Sequence, residues 1–306
     1  MRRAAPEGRR PATSKGRLRE TSIGLPCAGP PSASYQHRTM RRSPAGYRVL
    51  DQRPGLFGEI WVLERNGRRR LRFGSAWGID QSVLDTQRPE RPGPAYLRAF
   101  GLAARLRSPL RTALLVGLGG GGAAHLLRAV APRCRIVVVE ADPAVIDVAR
   151  RWFGIRPDRR LRIEQGDALD LAYQRNGTSS FDLILHDTYD DDALPDPLAT
   201  TSFLAALRDR LAERGLLVVN LGMPSVAREL PIVRRFAGLF PSPGIEFGMP
   251  TDHNRLLIGS PTPLPAASEV RRIARRLDAQ RELPFPVLPF GRLCRALPRR
   301  AARRRA

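Results

Sequence analysis

The residue types that could do chemistry in this chain are a glycine cluster and the carboxylates that follow it. Gly117, Gly119 and Gly122, with Gly120 between them, fit the spacing G-x-G-x-x-G. A backbone that must approach a ligand closely and then enter a helix has no room for Cβ atoms, so glycine recurs at such turns. Glu140 closes the apolar run 136–139, where a carboxylate can accept hydrogen bonds from both hydroxyls of a ribose. Asp167 follows the run 161–164 and can accept from an adenine amino group or cap the next helix, and the two roles are compatible. Asp187 follows the run 181–186 and opens the acidic segment 187–192, the densest carboxylate cluster in the patterned part of the chain. A dinucleotide needs its pyrophosphate on a helix N-terminus and a second nucleotide half, whereas a single adenosine needs ribose and adenine contacts from two successive strands. Glu140 and Asp167 together favour the adenosine.

These positions require elements that deliver them to one edge. The apolar run 113–116, the glycines, an Ala/Leu-rich helical segment and the run 136–139 make a strand, turn, helix and strand. Asp142 and Pro143 supply an N-cap and a first-turn proline for a helix over 144–153. Further strands are expected at 161–164, 181–186, 216–221, 245–249 and 256–258, with a helix capped by Thr201 and running to about 212 and another over 226–239. Strands alternating with helices predict an α/β fold with a doubly wound parallel sheet, which binds ligands beyond the carboxyl ends of its strands. Ahead of it, strands are expected at 47–50, 59–63 and 71–73, the last two joined through Asn66-Gly67, a pair that favours the type I′ hairpin. Trp61, Phe73 and Trp77 are expected to form the core of this small β domain, and a helix over 96–106 leads out of it. The predicted organisation is therefore a disordered Arg-rich tail (1–46), an N-terminal β-hairpin domain (47–94), a Rossmann-like ligand domain (95–265), and a C-terminal helix with a basic tail (266–306).

The 306 residues carry a net charge of +23, but its distribution argues against a basic binding face. Residues 1–46 hold 10 Lys/Arg against 2 acids and residues 271–306 hold 12 against 2, so solvated tails account for most of the excess. Only non-specific contact with nucleic acid is expected from them. The Arg-rich, Ser-bearing, acid-poor start also has the composition of an organellar transit peptide, and translation from Met40 is the plainer alternative. Both tails are expected to be dispensable, so that a chain from Met40 to about Pro286 keeps its thermal midpoint. Cys27, Cys134 and Cys294 have neither disulfide nor metal spacing, which predicts a reducing compartment, the cytoplasm, and no metal. No apolar run approaches the length of a membrane span.

Read together, GLGGGG, VVVEADPAVIDVARRWFGI, EQGDALDL, FDLILHDTYDDDALPDPLATTSFLAAL and RGLLVVNL resemble the spermidine synthase (polyamine aminopropyltransferase) family, and more closely its spermidine-synthase-like proteins with a GLGGG loop. The resemblance covers about residues 47–290, the segment FGEIWVLERNGRRRLRFGSAWGIDQS matching the family's N-terminal β domain. It implies a class I methyltransferase-like (Rossmann-like) fold with a mostly parallel seven-stranded sheet. The implied co-substrate is S-adenosylmethionine or its decarboxylated form, without a metal. Glu140 would hold the ribose hydroxyls, and Asp167 with Ala168 the adenine. Asp187 corresponds to the catalytic aspartate, Asp190 to a second acid that meets the amine substrate, and Gln81 and Tyr96 to polar substrate positions. An alkylammonium, with a pKa near 10, cannot attack the carbon beside a sulfonium until a carboxylate takes its proton, and Asp187 would be that base. The chain differs from the family where glycine, near Gly120, replaces the aspartate of GGGDG that meets the aminopropyl amine, and where Leu97-Arg98 replaces a polar-Glu pair.

The expectation is an enzyme of polyamine biosynthesis type that transfers an aminopropyl group to a small-molecule amine and works as a homodimer. Two alternatives stay open. One is an S-adenosylmethionine-dependent methyltransferase, in which Arg98 or a neighbour pairs with the carboxylate that only the intact cofactor carries. The other is a non-catalytic, nucleic-acid-associated member of the fold.

Overall fold

A computed structural model describes residues 44–173, 180–188, 194–222, 226–250 and 254–297. The residues from Arg42 onward form one compact unit. Most of the expected tail 1–46, the acids Asp190–Asp192 and the basic end 298–306 lie outside the described residues. Among the described residues no helix is long and apolar enough to cross a membrane.

The first four strands, β1 (Arg48–Gly55), β2 (Gly58–Arg65), β3 (Arg68–Phe73) and β4 (Asp80–Asp85), form an antiparallel sheet in that order. Asn66 and Gly67 both have positive φ, 52° and 70°, as the hairpin between β2 and β3 requires. β4 was not foreseen, because DQSVLD lacks a clear apolar alternation, yet it carries Gln81 and Ser82 toward the central unit. Trp61 is buried as expected and Phe73 packs at the edge of the main core, but Trp77 is 62% exposed and is no part of it. It sits in the loop between β3 and β4, where nothing covers it.

The remaining elements follow in sequence. They are α1 (Ala95–Ala104), β5 (Thr112–Val116), α2 (Gly122–Val130), β6 (Arg135–Glu140), α3 (Pro143–Trp152), β7 (Leu161–Gln165), α4 (Ala168–Tyr173) and β8 (Phe181–His186). After these come α5 (Thr201–Asp209), β9 (Leu211–Leu221), α6 (Val226–Ala237), β10 (Ile245–Gly248), β11 (Arg255–Gly259), α7 (Ala267–Ala279), α8 (Leu288–Arg292) and β12 (Cys294–Ala296). The 8-stranded sheet runs β12-β10-β11-β9-β8-β5-β6-β7, with β7, β6, β5, β8 and β9 paired in parallel and β11, β10 and β12 added through antiparallel pairings. This is the class I methyltransferase-like α/β fold. The chain winds outward from β5 through β6 to β7 and then returns to β8, so the switch point lies between β5 and β8, where such sheets bind ligands. β5 and β8 are apolar over nearly their whole length because helices cover both faces of a parallel sheet. Asp142 caps α3 by accepting from Ala144 N at 2.8 Å, as expected, while α5 is capped by Thr200, one residue before the predicted position.

An eighth strand overturns both the implied sheet of seven and the expected dispensability of the C-terminal end. β12 pairs with β10, Asp278 accepts from Val287 N and Leu288 N at 2.7 and 2.9 Å, and Val287, Phe290, Cys294 and Leu297 are buried. The buried Glu246 is bridged by Arg255 and by Arg295, which ties the last strand to the sheet from both sides. The segment behind α7 is thus part of the core, and only the residues after Leu297 keep the character of a tail in the sequence.

Candidate functional site

The glycine turn is held from two directions. Gly117 N donates to Val139 O at 2.9 Å, and φ is 97° at Gly117, 50° at Gly119 and 76° at Gly121, values that disfavour a side chain. A Cβ at Gly117 would collide with the carbonyl oxygen of Asp187, so the turn after β5 and the exit from β8 touch backbone to backbone. Glu140, at the end of β6, accepts from Leu118 N at 2.9 Å with Oε2 and from Asp142 N at 3.0 Å with Oε1. Burial pushes its carboxyl above the ordinary range, and the backbone donors oppose that. From the other sheet, Ser82 Oγ accepts from Gly120 N at 2.8 Å. The small β-sheet therefore braces the turn directly.

Asp187 continues β8 by one residue, and its N donates to Val116 O at 2.9 Å. Both carboxylate oxygens have donors: Tyr96 Oη, from the first turn of α1, gives a hydrogen bond of 3.0 Å to Oδ2, and Asn220 Nδ2, from the end of β9, one of 2.8 Å to Oδ1. Burial pushes this carboxyl up, and the two hydrogen bonds moderate the rise by favouring the charged form. The carboxylate is pre-aimed, with a proton affinity above that of a surface aspartate, which suits a base. His186 beside it does not serve the site. Its ring is fully buried on the other side of the strand, Nε2 sits 3.0 Å from Leu198 O, Phe203 packs on it edge-on, and burial pushes its pKa down to about 4.

A cavity of roughly 310 Å³ gathers these groups, within the range of small-molecule sites. It is lined by Gly117, Gly119, Gly120, Gly122, Glu140, Asp167, Ala168, Asp187, Tyr96 and Gln81, so these described positions meet in one place, Arg98 excepted. Asp190 lies outside the described residues. Asp167 stands exposed at the rim and accepts from Leu169 N at 2.8 Å, and its carbonyl accepts from Leu171 N at the start of α4. The capping role is thus present, and Asp167 also lines the cavity. Arg98 is not in the cavity. It lies over the Phe290 ring at 5.9 Å, because on α1 it falls two residues past Tyr96 and hence on another face. That removes it as a partner for a cofactor carboxylate. Sequence reasoning missed Ser82 and Asn220.

Replacing Glu140 by Ala should weaken binding of S-adenosylhomocysteine roughly ten- to hundredfold, as expected for losing about 1.5–3 kcal/mol of hydrogen bonds to a charged acceptor. It should also lower the thermal midpoint, since Leu118 N and Asp142 N lose their acceptor. Calorimetric titration with unchanged affinity would remove Glu140 from the ligand.

The chain is similar to known transferases. Residues 100–233 match the spermine/spermidine synthase domain. The polyamine aminopropyltransferase of Vibrio vulnificus is 28% identical over 247 residues, covering 78% of this chain and 80% of that protein. The eEF1A lysine and N-terminal methyltransferase of Danio rerio is 38% identical over 144 residues, 44% of this chain but only 21% of that protein, so the chain matches about a fifth of that relative. The crystal structure of a probable spermidine synthase from Corynebacterium glutamicum superposes with a TM-score of 0.64 at 22% identity, covering 74% of this chain and 87% of the other, and shares its fold. The resemblance to the spermidine synthase family holds, and the relatives are transferases.

Proposed function

We propose that this spermidine-synthase-like chain transfers a methyl group from intact S-adenosylmethionine to an amine, with Asp187 as the base. The observation that carries the choice of donor is the packing at Gly120. A Cβ there would lie 2.8 Å from Ser82 Cβ and 2.9 Å from the ring of Phe153, so the turn is built against any side chain. It therefore has no place for the carboxylate that meets the aminopropyl amine in the polyamine enzymes. The match to the zebrafish methyltransferase supports the same reading.

The residues fit a nucleoside of this type, since the glycine turn, packed too closely on Asp187, Ser82 and Leu97 to carry side chains, presents bare backbone to the cavity that Glu140 also lines. The sulfonium co-substrate supplies an electrophilic carbon, whose bond to sulfur breaks, leaving the electron pair on the thioether, as the amine nitrogen bonds to it. Asp187 takes the proton that the amine must lose, and it is held ready by Tyr96 and Asn220. Tyr96 and Gln81, facing the cavity from α1 and β4, orient the acceptor. The base must be ionised to act, and burial raises its pKa, so activity should fall on acidification at a pH above the usual carboxylate range.

A second reading, aminopropyl transfer, is favoured by the Vibrio vulnificus enzyme, which aligns along 80% of its length. Calorimetry and turnover with intact and decarboxylated S-adenosylmethionine separate the two. Methyl transfer predicts at least tenfold tighter binding of the intact form, whereas preference for the decarboxylated form with an aminopropylated product would establish the second reading. Gly120→Asp should cost about 1–3 kcal/mol of stability through overpacking and should not create affinity for the decarboxylated form. A stable Gly120→Asp protein that gains such affinity would show that the turn can host the carboxylate after all.

A further inference from the structure

Asn220 is fully buried near the end of β9, directly after the apolar run LLVV, a costly place for a primary amide unless each of its groups is satisfied. Its Nδ2 donates to Asp187 Oδ1 at 2.8 Å, and its Oδ1 accepts from Asn254 Nδ2 at 3.1 Å. The register explains why these residues meet. His186 lies opposite Val219 in the parallel pair of β8 and β9, so Asp187 and Asn220 are the next pair. Leu256 lies opposite Asn220 in the antiparallel pair of β9 and β11, and Asn254 comes just before β11. Three neighbouring chain segments thus deliver one side chain each to a single line.

We propose that Asn254 is a positioning residue for Asp187, acting through Asn220: its amide donor fixes which way the Asn220 amide faces and so keeps an N–H on the carboxylate. An ionised carboxylate can only accept, and an Asn side chain offers a donor on one side and an acceptor on the other. If Asn254 occupies the acceptor, the Asn220 donor must point at Asp187. Without Asn254, the Asn220 amide is free to turn and set its oxygen against the carboxylate, which disfavours the charged form. Among the described residues, the phenol of Tyr96 from α1 is the other group bonded to the Asp187 carboxylate, the glycine turn after β5 meets it with backbone, and His186 faces away and is neutral. No charged side chain among these offsets the loss.

The inference rests on Asp187 as the base, and its test separates the two. In the full chain, Asn254→Leu keeps approximate size and removes the donor. The midpoint of the Asp187 carboxyl, followed by carbon NMR, should rise by about half a pH unit or more, whether or not any acceptor is turned over. The acid limb of the turnover profile should move up with it, and turnover at pH 6 should fall about three- to tenfold while affinity for S-adenosylhomocysteine stays within twofold. The same substitution in an Asn220→Leu background should have no further effect on that midpoint, because the two residues act in series. An unmoved midpoint in folded Asn254→Leu protein, or a full additional shift in the double variant, overturns the relay. If the midpoint moves as expected but Asp187→Asn leaves turnover intact, the relay stands and the base assignment falls.

Discussion

Ending the chain after Pro286 will abolish cooperative unfolding or lower the thermal midpoint by some 20 °C. The cut removes Val287, Phe290, Cys294 and Leu297, whose side chains are 0%, 2%, 6% and 2% exposed. Burying an aliphatic or aromatic side chain contributes about 1.5–3 kcal/mol, so Val287, Phe290 and Leu297 together are worth roughly 4.5–9 kcal/mol even before Cys294 and strand pairing are counted. That rivals the 5–15 kcal/mol that typically separates folded from unfolded protein. The cut also strips β12 from the edge of β10 and takes Arg295 from Glu246, leaving a buried carboxylate with Arg255 alone. Calorimetric scans of the full chain, a chain ended after Pro298 and a chain ended after Pro286 make the comparison. The second should melt with the full chain. A chain ended after Pro286 with an unchanged midpoint would mean that α8 and β12 do not pack as the structure has them.

This dependence was written in the sequence and was hidden by composition. Val287, Phe290, Cys294 and Leu297 are spaced by three and four residues, a pattern that marks a buried face, but they stand among arginines and prolines that read as a solvated tail. The central unit was easier. An apolar run, a glycine turn and an acidic strand end repeat a local grammar, in which the physical constraint on each residue comes from its immediate neighbours. Glu140, Asp167 and Asp187 could therefore be placed at one edge of a sheet without knowing the strand order. β4 was illegible because DQSVLD has its chemistry on one face and little apolar signal on the other, so Ser82 went unnoticed although it bonds the turn. Trp77 shows the reverse error, an aromatic taken for core because of its type when the loop that carries it leaves it 62% exposed. Asn220 did leave a signal, as a lone amide inside an apolar strand, but its meaning depends on Asp187 and Asn254. Those partners lie 33 and 34 residues away and meet it only through strand pairing.

The sharpest consequence concerns Asp187 itself. Replacing it by Asn keeps the volume and removes the carboxylate that the fold aims between Tyr96 and Asn220. The new side chain offers one acceptor where two donors converge, so it must give up either the Tyr96 or the Asn220 contact, and it cannot take a proton from an ammonium. Loss of a general base slows a reaction by about a hundred- to ten-thousandfold, so turnover on whichever amine proves active should fall at least a hundredfold. Nucleoside affinity should change by a few-fold at most, because Glu140 and the glycine turn, which hold the other end of the cavity, are untouched. The split between a collapsed kcat and a preserved Kd is what distinguishes a base from a brace. A brace would act through the carboxylate's bonds to Tyr96 and Asn220, and losing one of them would loosen the exit of β8 and weaken binding and turnover together. Turnover that survives in Asp187→Asn would take the proton transfer away from this residue, and the carboxylate's own hydrogen bonds would then have to be explained as packing of the switch point alone.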